Sequence, residues 1–166
     1  MTPHTLLSDH EFTRAVAALP LVSIDICVTG PNGSLLLGKR NNAPARGWWF
    51  TPGARIRKNE AIADALARVL RDELALPNAM AARATLMGAW DHFYPDSAFD
   101  ANTSTHYVNL PHWLQLTQAE MDALHPPQGG REQHARWQWW PLDTATQDPS
   151  VHACVQTYSR WLYEHR

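Results

Sequence analysis

The stretch Gly53–Leu76, with the sequence GARIRKNEAIADALARVLRDELAL, decides the fold. Its part Lys58–Leu74 is rich in Ala, Leu, Arg and Glu and contains no Gly or Pro, which predicts the strongest helix of the chain. At 3.6 residues per turn this helix has one apolar stripe, formed by Ile62, Leu66 and Val69. Glu73 falls on the same stripe. A carboxylate there is costly unless it is paired or bound to a cation, so Glu73 either swings into water at a frayed helix end or belongs to a site.

The rest of the chain alternates between strand and helix patterns. Ser8 and Glu11 form a capping pair that predicts a short helix ended by Pro20. The turn signal at Pro31–Gly33 predicts a hairpin. The predicted strands are Leu21–Thr29, Ser34–Lys39, Leu86–Tyr94, Thr105–Gln115 and Ala135–Trp140; the further predicted helices are Gln118–Leu124 and Val151–Glu164, and Arg40–Pro52 is irregular. Strands mixed with three or four helices predict one α+β domain over residues 1–166.

The composition is that of a globular protein. Of the 166 residues, 45% are hydrophobic, which argues against a disordered chain. The net charge of −2 argues against bulk attraction to nucleic acid or to an acidic membrane, so a bound anion must be held by a few placed arginines. The N-terminus has no signal-peptide pattern, and no apolar run approaches membrane-spanning length. We therefore expect a cytoplasmic protein with neither a nucleic-acid nor a membrane partner.

The two cysteines, Cys27 and Cys154, show no disulfide framework and no metal-ligand spacing. Cys27 lies in an apolar run, which is typical of a buried small hydrophobe. A disulfide between the two cysteines stays an open alternative at this point.

The segment Gly47–Arg55 leads a glycine-containing loop straight into the helix that carries Glu73. Such a loop can bring backbone carbonyls and a carboxylate to one hard cation. Aligned on Glu60 and Arg68, the chain resembles the Nudix box, G-x5-E-x7-R-E-U-x-E-E-x-G-U with U an apolar residue, and keeps its spacing. The departures are Ala54 and Ala75 in place of glycines and Val69 and Asp72 in place of glutamates. The resemblance implies the Nudix fold, a mixed central sheet packed between helices in an α/β/α sandwich.

Within the Nudix superfamily, the chain resembles the GDP-mannose mannosyl hydrolase branch over nearly its whole length. That branch has a similarly depleted box, in which the arginine and the last glutamate are kept. Six segments carry the resemblance in order and at compatible spacing, namely Pro20–Asp25, Leu36–Arg40, Pro44–Phe50, Trp90–Tyr94, Thr105–Tyr107 and Glu132–His134.

This resemblance implies Mg²⁺-dependent hydrolysis of GDP-mannose, or of GDP-glucose, to GDP and the free hexose. Water would attack the anomeric carbon with inversion. One Mg²⁺, for which Mn²⁺ would substitute, would be bound by three hard oxygen donors: the Gly53 carbonyl, the Glu73 carboxylate and the Gln133 side-chain oxygen. His134 would be the general base, because an imidazole that titrates near neutrality suits that task. A homodimer is also implied.

The resemblance also implies how the substrate is held. Arg40 and Arg55 would bind the diphosphate, because guanidinium groups match phosphate oxygens. Asp25, His92 and Tyr107 would line the sugar and leaving-group region. The implied catalytic set is His134, Arg40, Asp25 and Tyr107. From the residues alone, two alternatives stay open: His92 as a satisfied buried histidine and Asp25 as a solvated strand residue.

Other residues have simpler interpretations. Arg68 is expected to pair with Glu60 or Asp72 and to orient the box, outside the catalytic set. Trp48 and Trp49 are expected to pack in the core around the box, although they also resemble a base-stacking platform. Six histidines are predicted to be surface or loop residues, namely His4, His10, His112, His125, His152 and His165.

Two other functions compete with the favoured one. A conventional Nudix pyrophosphohydrolase would attack phosphorus and release a nucleoside monophosphate and a sugar phosphate. A non-catalytic nucleotide-sugar sensor would bind without turnover. Ala54 in the metal loop favours the sensor, whereas the joint presence of Glu73, Gln133 and His134 favours an enzyme.

Overall fold

The computed structural model describes residues 7–127 and 133–166. The strands β1 to β9 are Leu21–Thr29, Ser34–Arg40, Trp49–Phe50, Gly53–Arg55, Thr85–Leu86, Trp90–Tyr94, Thr105–Asn109, His112–Gln115 and His134–Pro141. The helices α1 to α5 are Asp9–Ala18, Ile62–Leu74, Gln118–Ala123, Leu142–Ala145 and Ala153–His165, and a 3₁₀ helix covers Asn78–Arg83.

Strand β1 is the central strand of the sheet. It pairs antiparallel with β2 and β4 and parallel with β7 and β8. Strand β2 also pairs with β3 and β9, and β6 pairs with β7 at the far edge. One hydrophobic core lies between the sheet and α2, and a second core lies between the sheet and α5. The predicted α+β fold, a mixed sheet packed between helices, is therefore confirmed.

The side chains of β1 alternate between these two cores, as the pleat of a strand requires. Ile24 and Ile26 contact the core under α2, whereas Cys27 belongs to the core under α5. Asp25 points to the same side as Cys27 and meets Tyr158 of α5. The buried carboxylate of β1 and the Glu73 carboxylate of α2 therefore start from opposite faces of the sheet.

Helix α2 begins later than predicted. The residues before it form a turn in which Asn59 adopts φ 62° and the Glu60 carboxylate accepts a backbone N–H at 2.8 Å. The Glu60 side chain bonds to the Arg57 N–H, and this contact holds the turn in a conformation that does not continue the helix. Ile62 is consequently 47% exposed, so its predicted place on the apolar stripe is wrong, whereas Leu66 and Val69 are buried as predicted.

The end of α2 lies at Leu74, as predicted, and Ala75 is its C-cap. Ala75 adopts the left-handed conformation, with φ 54° and ψ 29°, at the position where the Nudix box has a glycine. Its N–H donates to the Arg71 carbonyl at 3.1 Å, which closes the last turn. The helix therefore ends in the usual left-handed conformation, although the Cβ of Ala75 disfavours it.

Strands β3 and β4 are short, and the sequence did not reveal them. The segment Arg40–Pro52, predicted to be irregular, contains β3, which pairs with β2 through the register Gly38↔Phe50. A strand of two residues is too short to show any alternation of side chains. Here the pairing partner, and not the local pattern, determines the structure.

Two predicted long strands are each divided in two. The predicted strand Leu86–Tyr94 is interrupted near Gly88, which adopts φ 155°. The predicted strand Thr105–Gln115 is interrupted before Pro111, which has no N–H to donate to a ladder. Both halves of the second strand, β7 and β8, still pair with β1.

The remaining predicted elements are confirmed. Ser8 and Glu11 form a reciprocal capping box at the start of α1, and the hairpin of β1 and β2 turns through Gly33 with φ 76°. Strand β9 and helices α3 and α5 occupy the predicted segments with small shifts at their ends. Across the described residues, no helix is long and apolar enough to cross a membrane.

Candidate active site

Gly53, at the start of β4, lies between two residues of the predicted site. It pairs with Asp25 across β4 and β1, and a Cβ at this position would overlap the Asp25 carboxylate and the Ile24 carbonyl. Glycine is therefore required here by close approach. The Gly53 carbonyl accepts a hydrogen bond from Gln133 Nε2 at 3.1 Å. Two of the predicted metal ligands, 80 residues apart in the chain, are thus in contact.

Ala54, which replaces a glycine of the Nudix box, lies in the extended strand β4 opposite Ile24. Among the non-glycine residues of the described ranges, positive φ angles occur only at Ala45, Asn59 and Ala75. The alanine in the metal loop therefore causes no backbone strain. The position that must be glycine, because it lies against Asp25 and Ile24, is the preceding residue Gly53.

Glu73 and His134 meet where the last turn of α2 lies beside the first residue of β9. Glu73 Oε2 is 3.5 Å from His134 Nδ1, and the Glu73 side chain is 20% exposed. The frayed-end alternative for Glu73 is therefore wrong. The carboxylate keeps partial access to solvent while it faces a buried imidazole.

His134 is almost fully buried, and its ring packs against Gly38 and against the ring of Trp137, whose centroid is 4.5 Å away. Neither ring nitrogen has a hydrogen-bond partner among the described residues. Burial lowers the pKa of His134 below its ordinary value, and the neighbouring Glu73 carboxylate opposes that shift. The result is a neutral imidazole with an unused proton-accepting capacity.

A cavity of about 340 Å³ opens beside this pair. Its described lining residues are Asn42, Asp72, Glu73, Pro127, Gln133, His134 and Trp137. Asp72 is engaged by Arg71, whose Nε donates to the carboxylate at 2.8 Å. Glu73, whose side chain is 20% exposed against 48% for Asp72, is therefore the more enclosed of the two carboxylates in this cavity.

The donors in this region fit one hard divalent ion. Among the described residues, no three His, Cys, Asp or Glu side chains come together as metal ligands. A cation would instead use Glu73 with the neutral oxygens of Gly53 and Gln133, and Mg²⁺ accepts carboxylate, amide and carbonyl oxygens. The Gln133 amide, which turns its NH₂ group toward Gly53, would present its oxygen after rotation by half a turn.

Arg40 is the last residue of β2. Its Nε donates to the Pro44 carbonyl at 2.9 Å, and its guanidinium lies 5.7 Å from the centre of the Phe50 ring. Burial lowers the pKa of Arg40, while Asp25 and Glu73, among neighbouring groups, raise it. This half-buried guanidinium therefore has favourable charge interactions with both carboxylates of the predicted site.

Arg55, the last residue of β4, supplies a second cation. Its guanidinium lies 4.0 Å from the centre of the Phe12 ring, and Tyr107 is among the groups that act on its pKa. Tyr107 is half-buried and also faces the ring of Tyr94, whose centroid is 6.1 Å away. Arg55 and Tyr107, predicted to contact substrate, are therefore neighbours.

Asp25 and His92 are both buried, and both contact Tyr158. The Tyr158 hydroxyl lies 3.0 Å from Asp25 Oδ2, 2.8 Å from His92 Nε2 and 3.2 Å from Asn109 Oδ1. Burial raises the pKa of Asp25 to about 6 and lowers that of His92 to about 4. The solvated-strand alternative for Asp25 is wrong, and His92 is a buried histidine with a hydrogen-bond partner.

Sequence reasoning missed Tyr158 and its partner Asn109. The one available signal is that Tyr158 falls on the apolar face of α5, between Val155 and Leu162, where a buried hydroxyl needs a partner. Nothing in the sequence of α5 identifies the partners of this hydroxyl, because they are Asp25, His92 and Asn109 on three different strands.

Two histidines predicted to lie on the surface or in loops are buried or half-buried. His112 is buried, with Nδ1 2.8 Å from the Leu110 carbonyl oxygen. His152 caps α5 by accepting from the Cys154 N–H at 3.3 Å, and its ring faces Phe50 and Tyr94. The prediction for His112 is wrong because strand pairing buries its ring, whereas His152 lies in a loop, as predicted, with its ring half-buried. The predictions hold for the exposed residues His10, His125 and His165, and His4 lies outside the described residues.

The structure also decides the other open alternatives. Both cysteines are free, which excludes the disulfide, and Cys27 is buried as predicted. Arg68 pairs with both carboxylate oxygens of Glu60, at 2.6 and 2.8 Å, and donates to the Arg55 carbonyl at 2.9 Å. Trp49 is in the core as predicted, but Trp48 is 41% exposed.

The comparison with protein families identifies the class of protein. Residues 19–162 match the NUDIX domain family, and the chain belongs to that family. NUDIX hydrolases act on nucleotide-linked substrates and generally use divalent metals such as Mg²⁺. A curated relative, the low-salt glycan biosynthesis protein Agl8 of Haloferax volcanii, is 39% identical over 125 residues, which cover 74% of this chain and 78% of that protein.

Solved structures share the fold at low sequence identity. A MutT NUDIX hydrolase from Burkholderia pseudomallei superposes with a TM-score of 0.64 and 23% identity, over 86% of this chain and 98% of that one. The MutT protein from Methanosarcina mazei Go1 has a TM-score of 0.69 and 14% identity, over 89% of this chain and 96% of that one.

Proposed function

We propose that this NUDIX protein is a Mg²⁺-dependent hydrolase of a nucleoside-diphosphate sugar, with GDP-mannose as the favoured substrate and GDP-glucose as the second. Water attacks the anomeric carbon with inversion, and the products are GDP and the free hexose. The observation that carries the proposal is the pairing of Glu73 with a buried, neutral His134 beside a cavity that Gln133 also lines.

The ligands would be the Gly53 carbonyl, the Glu73 carboxylate and the Gln133 amide oxygen, which supply one negative charge in total. A site of this kind suits one Mg²⁺. A mechanism in which several metal ions assist the attack of water on phosphorus needs several carboxylates to bind them. When bound, the ion stabilises the negative charge that develops on the departing diphosphate. Arg40 and Arg55 add two guanidinium groups for the same anion.

His134 is the general base for the attacking water. In this proposal Nδ1, which lies 3.5 Å from Glu73 Oε2, carries the proton of the neutral ring, and Nε2 keeps its lone pair. Transfer of the water proton to Nε2 would give an imidazolium, which the Glu73 carboxylate stabilises.

Asp25, His92 and Tyr107 form the sugar side of the site in this proposal. Asp25 interacts with Arg40, and Tyr107 lies among the groups that act on both arginines. Groups that bind the hexose must sit close to those that bind the diphosphate, since the two are joined by one bond. The Haloferax relative supports a sugar-linked substrate, because its name refers to glycan biosynthesis.

The deciding experiment is hydrolysis of GDP-mannose in ¹⁸O-water with Mg²⁺, followed by mass spectrometry of the products. Label in the hexose, together with unlabelled GDP, is expected. Label in a phosphate, with release of GMP and mannose phosphate, would establish the pyrophosphohydrolase instead. A parallel panel with GDP-glucose and ADP-sugars tests the preferred base and hexose.

A further inference from the structure

The hydroxyl of Tyr158 joins three polar side chains inside the core under α5. Tyr158 itself is fully buried. Its hydroxyl is 2.8 Å from His92 Nε2 on β6, 3.0 Å from Asp25 Oδ2 on β1 and 3.2 Å from Asn109 Oδ1 on β7. Asn109 is held in this orientation because its Nδ2 donates to Ser23 Oγ at 2.8 Å. One hydroxyl therefore connects three neighbouring strands of the sheet.

Counting protons assigns the direction of each hydrogen bond. Above pH 6, where Asp25 is ionised, the phenol has one proton while the Asp25 carboxylate and the Asn109 oxygen only accept. Of the three partners, His92 is consequently the one that donates to the phenol oxygen, and its Nε2 must carry the hydrogen. The Tyr158 proton then goes to the Asp25 carboxylate, which is the stronger acceptor. The neutral His92 ring is thereby fixed with its lone pair on Nδ1.

The hydroxyl is not needed to fill space. Tyr158 lies among the apolar residues of α5, and its ring contacts that of Trp90 with centroids 5.8 Å apart. Phenylalanine would make the same ring contacts. The extra oxygen instead satisfies polar groups that would otherwise be buried without partners, and such groups are costly.

We propose that Tyr158 is a positioning residue, whose hydroxyl fixes the tautomer of His92 and the orientation of the Asp25 carboxylate on the sugar side of the site. The inference deepens the proposed function and rests on it for its kinetic consequence. The tautomer itself is independent of that function, because it follows from the hydrogen bonds alone.

The first test is nitrogen-15 NMR of histidine-labelled protein, with the His92 signals assigned from the His92→Gln spectrum. Wild type is expected to show the Nε2–H pattern for His92. Tyr158→Phe is expected to lose that pattern or mix it with the other tautomer. The control is Tyr163→Phe on the same helix, where the phenol is exposed and the pattern is retained. An Nδ1–H pattern in wild type overturns the proposal whether or not the Phe variant folds, and an unchanged tautomer in Tyr158→Phe overturns it as well.

The second test is kinetic and separates the sugar from the nucleotide. We expect Tyr158→Phe to lower kcat/KM for GDP-mannose by roughly tenfold, the equivalent of one hydrogen bond. Affinity for GDP, which lacks the sugar, should stay within about twofold of wild type in calorimetry, as should all values for Tyr163→Phe. An unchanged kcat/KM, or an equal loss of GDP binding, overturns the positioning role. If wild type does not hydrolyse GDP-mannose, the proposed function fails, while the NMR result still decides the assignment of Tyr158.

Discussion

His134 Nδ1 lies 3.5 Å from Glu73 Oε2, and this contact joins the first residue of β9 to the last turn of α2. Glu73 thereby lies beside both the proposed base and the proposed metal ligands. The carboxylate can stabilise an imidazolium at Nδ1 and also bind a cation in the adjoining cavity. Substitution of His134 should therefore change kcat alone, whereas substitution of Glu73 should change both the rate and the Mg²⁺ dependence.

Replacing His134 by Gln should lower kcat for GDP-mannose hydrolysis by roughly two orders of magnitude, because general-base catalysis contributes about that much. Much of the loss should return at high pH, where hydroxide replaces the activated water. His125→Gln, at an exposed histidine, is the matched control and should leave kcat unchanged. A His134→Gln enzyme with wild-type kcat would remove this residue from catalysis.

Glu73→Gln should weaken Mg²⁺ binding and lower the rate together. The Mg²⁺ concentration for half-maximal activity is expected to rise by at least about tenfold, because the proposed ligand set loses its anion. Asp72→Asn is the control, since Asp72 lines the same cavity but is engaged by Arg71. Equal metal dependence in wild type and Glu73→Gln would exclude Glu73 as a ligand.

The pH dependence of stability should change when Asp25 is replaced by Asn. Burial raises the pKa of Asp25 from an ordinary 3.8 to about 6, so the folded protein holds a proton that the unfolded chain has already lost. The corresponding stabilisation is complete below pH 3.8 and is lost as the pH rises through 6. Relative to wild type, Asp25→Asn should therefore gain about 2 kcal/mol in free energy of unfolding between pH 4 and pH 7. Urea unfolding at four pH values measures this, and a constant difference would contradict it.

The same interval should show the opposite trend for His92. Burial lowers its pKa from 6.5 to about 4, so the unfolded chain takes up a proton first as the pH falls. Stability from the neutral His92 is complete above pH 6.5 and is lost as the pH falls through 4. His92→Gln should thus become relatively less stable than wild type as the pH rises from 4 to 7. Because the two trends oppose each other, Asp25 and His92 together should make the free energy of unfolding of the wild-type protein only weakly dependent on pH.

Glycine at position 75 should stabilise the protein. Ala75 holds φ 54° at the end of α2, where glycine avoids the steric cost of a Cβ. We expect Ala75→Gly to raise the free energy of unfolding by about 0.5–1 kcal/mol. Ala63→Gly, at an exposed position inside the same helix, should lower it by a similar amount. Thermal unfolding of both variants checks the sign, and a destabilised Ala75→Gly would show that the left-handed C-cap is not populated.

Local sequence patterns predicted the elements of the fold better than their junctions. The capping box at Ser8 and the end of α2 at Leu74 follow from signals within one or two helical turns. Helix α2 begins later than predicted because the Glu60 side chain bonds to Arg68 and holds the preceding residues in a turn. The helical spacing of the sequence does not show this contact. The short strands β3 and β4 arise from pairing with distant strands, which leaves no local trace.

The candidate site divides in a similar way. Gly53, Glu73, Gln133 and His134 were named from the box and its downstream residues, and the structure brings them into one region. The hydrogen bonds of Tyr158 were not predicted, because its partners Asp25 and His92 lie 133 and 66 residues away. Burial of such polar groups depends on tertiary packing, and no periodicity of the α5 sequence encodes which strands supply the partners.

Gly38 on β2 determines where the His134 ring can lie. A Cβ built on Gly38 would overlap the Cβ, Cγ and Cδ2 atoms of His134, and the His134 ring also contacts the ring of Trp137, with centroids 4.5 Å apart. Gly38→Ala should therefore displace the imidazole and lower kcat by roughly tenfold or more, with a smaller change in KM, because misplacing a reacting group by about 1 Å costs up to a hundredfold.

A double variant separates this steric effect from a general loss of stability. Trp137→Leu alone opens space beside His134, so Gly38→Ala combined with Trp137→Leu should recover part of the kcat lost in Gly38→Ala. The wild-type, single and double variants are compared by kcat and by thermal unfolding. If the double variant loses the product of both single effects, the two positions act independently and the ring is not held between them. Recovery of kcat without recovery of thermal stability would show that the position of His134, and not the integrity of β2, limits the reaction.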